Sequence, residues 1–141
     1  DSIVNMEEVG DPKERVKEVL NLTNGRGADL VVEAAGSPIA FREGLEMTRP
    51  GGVFYELGCA ADVGAVEVNP YRHFCSKDIY VYGQYGTPPQ EYQMALKILS
   101  KYKQIYPFEK LVTHRFRLEG VIQALEAVER EECMKAVIDF P

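Results

Sequence analysis

The sequence predicts an α/β fold, a doubly wound parallel sheet, and three observations carry that expectation. Strand signals and helix signals take turns along the whole chain. The strand candidates are short, unbroken apolar runs without polar alternation, the pattern of strands buried on both faces in a parallel sheet. The segments between several of them have the length and the opening residues of crossover helices.

Taken in order, Asp11 is a cap residue, Pro12 fits the first helical position and Glu14 stands where a capping box would close. Val16, Val19 and Leu20 complete the apolar face of a helix over 12–23, which Asn24-Gly25 stops. Leu30-Val31-Val32 reads as a strand that runs through Glu33 into Ala34-Ala35. Ser37-Pro38 repeats the helix start, with Phe41 and Leu45 on one face. Arg49-Pro50-Gly51-Gly52 then turns the chain into a second strand over 53–57. A third strand, over 79–82, precedes the helix start Thr87-Pro88-Pro89-Gln90, after which Tyr92, Ala95, Leu96 and Leu99 recur at helical spacing. In the tail, Leu111-Val112-Thr113 suits a strand and residues 136–140 a last one. Between them Leu118, Val121, Ile122, Leu125 and Val128 suit an amphipathic helix.

One domain over 1–141 is expected, because 45% hydrophobic and 27% charged side chains are ordinary values for a single cored domain. A chain of this length buries roughly two-thirds of its unfolded surface and needs no disulfide or metal to fold. The balance of 16 Lys and Arg against 22 Asp and Glu, with no basic run, disfavours nucleic acid as a partner. Cys59, Cys75 and Cys133 are odd in number and widely spaced, which suits a reducing compartment, the cytoplasm. No apolar run approaches the ~20 residues of a membrane helix, so no membrane partner is expected. The first residue is Asp1, not methionine, which suggests a piece of something longer.

Ligands of open parallel sheets sit beyond the carboxyl ends of the strands. Here those ends are small or glycine-rich: Ala35-Gly36-Ser37, Leu57-Gly58-Cys59 and Gly83-Gln84-Tyr85-Gly86. Glycine allows close approach of a ligand to the backbone, and the helix after Ser37 offers amides and a positive dipole end. Glycine after a strand is also the ordinary turn residue, so local chemistry leaves both readings open.

Longer strings add a resemblance. Gly25-Arg26-Gly27-Ala28-Asp29-Leu30-Val31-Val32-Glu33-Ala34-Ala35-Gly36-Ser37-Pro38, then Arg49-Pro50-Gly51-Gly52-Val53 leading to Leu57-Gly58, resemble the nucleotide-binding domain of zinc-dependent medium-chain alcohol dehydrogenases. Val68-Asn69-Pro70, Gly83-Gln84-Tyr85-Gly86, Leu111-Val112-Thr113-His114-Arg115-Phe116, Leu118-Glu119 and Lys135-Ala136-Val137-Ile138 are similar to its later landmarks, in the same order. The resemblance covers essentially the whole chain. It implies a partial Rossmann-like sheet lacking its first two strands and the glycine-rich loop, with 107–141 as a terminal strand-helix-strand segment.

Further implications of the resemblance concern NAD or NADP as cofactor. Ala35, Gly36 and Ser37 would touch its adenosine side, Leu57, Gly58 and Cys59 would pass beside the nicotinamide, and Gln84 and Tyr85 would hold the carboxamide by backbone groups. Lys135 would lie near the pyrophosphate, although a solvated strand-end lysine accounts for it as well. No catalytic residue is assigned. The G-x-G-x-x-G loop and the zinc ligands of the family have no counterpart here, so zinc is expected only in a missing N-terminal catalytic region. No metal ligands are expected in this chain: no cysteine or histidine pair has zinc-ribbon spacing, and only His73 and Cys75, two apart, could chelate. His114 suits a hydrogen-bonded structural role. Glu33, inside an apolar run, needs a partner, a capping role or solvent.

Two classes of function follow. The chain is part of an NAD(P)-dependent alcohol or polyol dehydrogenase, inactive alone, with the zinc-free quinone reductase branch as a neighbouring reading. Alternatively it is a truncated, non-catalytic assembly module. A sheet without its first two strands leaves 30–35 with an open edge, which invites homo-oligomers, and 65–68 with 79–82 offers a second interface.

Overall fold

The computed structural model describes residues 2–140. The chain forms two compact units, one up to Gly86 and one from Thr87 onward. Pro88 and Pro89 stand at the start of the second.

The first unit begins with α1 (Pro12–Leu22), whose cap is as the sequence suggests: the Asp11 side chain accepts the Lys13 N–H at 2.9 Å. The capping box does not close, because Glu14 instead accepts the Lys17 ammonium at 3.0 Å. At the other end Asn24 and Gly25 take left-handed φ values of 54° and 78°, and the Gly25 N–H reaches Leu20 O at 2.7 Å. The strands β1 (Ala28–Glu33), β2 (Thr48–Glu56) and β3 (Tyr80–Gly83) form a parallel sheet in chain order. The predicted turn Arg49-Pro50-Gly51-Gly52 is absorbed as an irregularity in β2: Thr48 pairs with Ala28, and the register resumes at Val53 with Leu30. No strand forms over 65–68.

The helix α2 (Pro38–Met47) lies against β1 and β2 and makes the core of this unit. Leu45 and Phe54 are fully buried, and Phe41 meets the Phe54 ring edge-on at 5.1 Å between centroids. Gly44 is where the Phe54 ring enters the helix surface, since a Cβ there would collide with Phe54 and stand 3.2 Å from a Val31 methyl. Arg15 ties α1 to α2 through Glu43, with Nε to Oε2 at 3.0 Å and Nη2 to Oε1 at 2.5 Å. The expectation that β1 is buried on both faces is corrected: Leu30 and Val32 are 57% and 51% exposed. They alternate with Val31 and Glu33, and β1 is the first strand in the sheet order.

In the second unit come α3 (Pro89–Tyr102), β4 (His114–Phe116), α4 (Val121–Glu129) and β5 (Ala136–Ile138). The β4 and β5 strands pair in parallel with α4 as the crossover, a separate two-stranded sheet. The predicted strand at 111–113 is displaced to His114–Phe116. Residues Phe108–Leu111 wind into a 3-10 turn instead. Thr113 is taken up in bracing the approach to β5, its hydroxyl accepting the Met134 N–H at 3.0 Å, so the register starts at His114 opposite Ala136.

Candidate functional site

The three strand ends singled out in the sequence lie side by side in the first unit. The ladder continues past the strands, with Leu57 N–H donating to Glu33 O at 3.0 Å and Gln84 N–H to Glu56 O at 3.2 Å. Ala35-Gly36-Ser37, Leu57-Gly58-Cys59 and Gln84-Tyr85 are thereby brought together. Lys135 lies in the second unit, exposed, immediately before β5.

The glycines are demanded first by the chain's own packing. Gly36 has a φ of 71°, and a Cβ on it would stand 2.6 Å from Gly58 O. A Cβ on Gly58 would collide with Glu33 Oε2 and Gly36 N. Two neighbouring strand ends close on each other only because neither carries a side chain.

Glu33 sits at the same junction, against Gly58. It is 4% exposed, and its Oε1 accepts the Ala35 and Gly36 N–H groups at 2.8 and 2.9 Å, the capping role left open by the sequence. Glu56 stands directly opposite in the register and uses its own Oε1 to accept the Cys59 N–H at 2.9 Å. The Oε2 atoms of Glu33 and Glu56 are buried without a hydrogen-bond partner. One ligand atom each from Glu33, Glu56 and Cys59 falls within 4.8 Å of the others. Desolvation, and next the Glu56 carboxyl beside it, push the Glu33 carboxyl above its ordinary range, against the pull of the two amides. Desolvation followed by the charge of Glu56 likewise pushes the Cys59 thiol up.

The amides of Ala35, Gly36 and Cys59 are therefore engaged within the chain. Leu57 and Tyr85 supply exposed apolar area, Tyr85 being 87% exposed. Gln84 is held by Tyr55, whose hydroxyl donates to its Oε1 at 2.7 Å. Ser37 takes the N-cap position of α2 without a side-chain cap bond. A cavity of about 220 Å³ opens beside it, lined in part by Ala35, Ser37 and Ile39.

The pair His73 and Cys75 does not come together as a chelate. Both lie in a π-helical turn, Tyr71–Cys75, where His73 is buried, its Nδ1 accepts the Asn69 N–H at 2.8 Å and its Nε2 faces Glu46 at 3.6 Å. Cys75 is exposed. His114 Nδ1 lies 3.1 Å from the Thr113 hydroxyl, in keeping with a structural role. Sequence reasoning missed Glu56. Its signal was a second carboxylate closing a second apolar run, as Glu33 closes the first.

Residues 1–101 match the family model described as zinc-binding dehydrogenase. The chain is 34% identical to 5-exo-hydroxycamphor dehydrogenase of Pseudomonas putida over 91% of this chain and 35% of that protein. It is 32% identical to L-threonine 3-dehydrogenase of Bacillus licheniformis over 87% of this chain and 35% of that protein. Among solved structures, an alcohol dehydrogenase of Thermotoga maritima superposes with a TM-score of 0.80 at 31% identity, over 91% of this chain and 34% of its own. These likenesses and the parallel sheet define a partial Rossmann-like α/β protein of the dehydrogenase class. The chain belongs to the zinc-binding dehydrogenase family. It spans about a third of the length of the relatives it matches.

Proposed function

We propose that this chain is part of an NAD(P)-dependent alcohol or polyol dehydrogenase and forms the nicotinamide and adenosine walls of its cofactor site. The observation that carries the reading is the row of three adjoining strand ends, Ala35-Gly36-Ser37, Leu57-Gly58-Cys59 and Gln84-Tyr85, at the carboxyl edge of a parallel sheet. The dehydrogenase names of the relatives give the reaction class. The residues fit a dinucleotide in kind: small strand ends admit close approach, Leu57 and Tyr85 offer apolar surface, and Ala35 and Ser37 line a cavity. When bound, the dinucleotide supplies the hydride chemistry. This chain's part is to orient the cofactor and keep water from it.

The rest of the site, including any catalytic zinc, belongs in this reading to sequence beyond these 141 residues, and the chain alone is expected to show no turnover. Lys135→Gln in the whole enzyme is expected to weaken NAD(P) binding if that lysine meets the pyrophosphate. The free thiols at Cys59, Cys75 and Cys133 support a reducing, cytoplasmic setting.

The test is a titration of NAD and of NADP into the isotope-labelled chain. Weak binding with amide shifts confined to Gly36, Gly58, Tyr85 and their neighbours is expected. Shifts scattered over the surface with either nucleotide would overturn the assignment of these strand ends. The exposed edge strand β1, with Leu30 and Val32 bare, favours a second reading as an assembly module. Stable self-association of a chain that ignores both nucleotides would decide for it.

A further inference from the structure

We propose that Glu33, Glu56 and Cys59 hold a divalent transition-metal ion of the zinc class at the adjoining ends of β1 and β2. The geometry comes from the sheet register, which sets the two carboxylates opposite each other, and from the turn after β2, which brings the thiol back beside them. Each carboxylate is fixed from behind. Glu33 Oε1 is held by two backbone amides and Glu56 Oε1 by one, an arrangement that orients metal-binding carboxylates in general. Each is left with one buried oxygen that no donor meets. Glu33 is almost wholly buried, and its open oxygen packs against Gly58, next in sequence to Cys59.

Two carboxylates facing each other at one partly desolvated point call for a proton or a cation between them. A shared proton can bridge the two carboxylates while the thiol stays neutral; a divalent ion instead takes both carboxylates and, displacing the thiol proton, the thiolate. Two oxygens and one sulfur form a borderline-soft set, which selects zinc, cobalt or cadmium over magnesium or calcium. Tetrahedral zinc sets such ligands about 3.5 Å apart, so ligand atoms spread over at most 4.8 Å need to close by about an ångström. Cys59 lies exposed in the segment after β2 and can supply that movement. Three protein ligands leave a fourth position for water or a ligand atom.

Cobalt(II) titrated into the metal-stripped 141-residue chain tests the site through its thiolate-to-cobalt absorption and the thermal midpoint. One ion per chain, a charge-transfer band and a raised midpoint are expected, with zinc displacing cobalt and magnesium failing to. Cys59→Ser should abolish the band, and Glu56→Gln should weaken binding by at least about tenfold while leaving the chain folded. Cys75→Ser and Cys133→Ser should change neither. A band that survives Cys59→Ser, or cobalt affinity indifferent to Glu56→Gln, would overturn the proposal. So would a Glu56→Gln chain that gains stability in chelator when the wild type binds no cobalt, since a shared proton would then account for the pair.

Discussion

Phe54 shows how a single side chain fixes the first unit. It is fully buried, it fills the notch left by Gly44, and Phe41 closes over its edge. Phe54→Ala removes that contact and leaves a cavity under α2, at an expected cost of about 3 to 5 kcal/mol, read as a lowered urea midpoint. Asp29 gives a pH signature at the same scale. The Arg49 guanidinium, bonded at 2.6 Å, and the nearby Arg26 hold its carboxyl below the ordinary carboxylate range. A depressed acid adds stability that is whole above its unfolded pKa of about 3.9 and fades as pH falls through the lower, folded value. Asp29→Asn is therefore expected to be less stable than the wild type at neutral pH, with the gap closing in acid. Urea midpoints at about pH 7 and pH 3 for both chains check this. A gap that widens in acid would contradict the assigned sign.

At the scale of elements, α2 is held at both ends by different means. Its N-terminus rests on Pro38 with no side-chain cap, and its C-terminus runs directly into β2. The last carbonyls are met from outside, by Lys77 Nζ on Leu45 O at 2.7 Å and on Glu46 O at 3.1 Å, a cation at the negative end of the helix. Lys77→Met keeps the stem and removes the donor, and is expected to cost about 1 kcal/mol. The cap of α1 offers a matched case, since Asp11→Ala loses the bond to Lys13 N for a similar cost of about 1 kcal/mol. Thermal melts of both variants measure the two ends of the helical layer. The capping box at Glu14 was legible as a pattern but did not form, because an exposed lysine one turn on competes for the same carboxylate.

Over the whole molecule, the most telling feature is apolar surface without cover. Leu30 and Val32 on β1 are bare, and on α3 Tyr92, Leu96 and Leu99 are 62%, 65% and 41% exposed. An edge strand with bare apolar side chains invites a second strand, because its unpaired N–H and C=O groups complete a ladder with any extended chain. The 141-residue chain is accordingly expected to form concentration-dependent dimers in light scattering, and Leu30→Lys, which sets a charge on that edge strand, to reduce them. A monodisperse monomer at high concentration would refute this.

The sequence by itself determined the alternation of strands and helices, the parallel sense of the sheet, the capping of α1 by Asp11 and the three glycine-bearing strand ends. Each of these is written in neighbouring residues, through apolar runs, cap residues and turn formers, and needs no distant partner. Tertiary structure alone decided the rest. Whether β1 is covered depends on what packs on Leu30 and Val32. The start of β4 depends on how Thr113 and Lys135, 22 residues apart, share their hydrogen bonds. The meeting of Glu33 with Glu56 depends on strand register, which no local pattern prints, because side chains far apart in the chain become neighbours only when two backbones align.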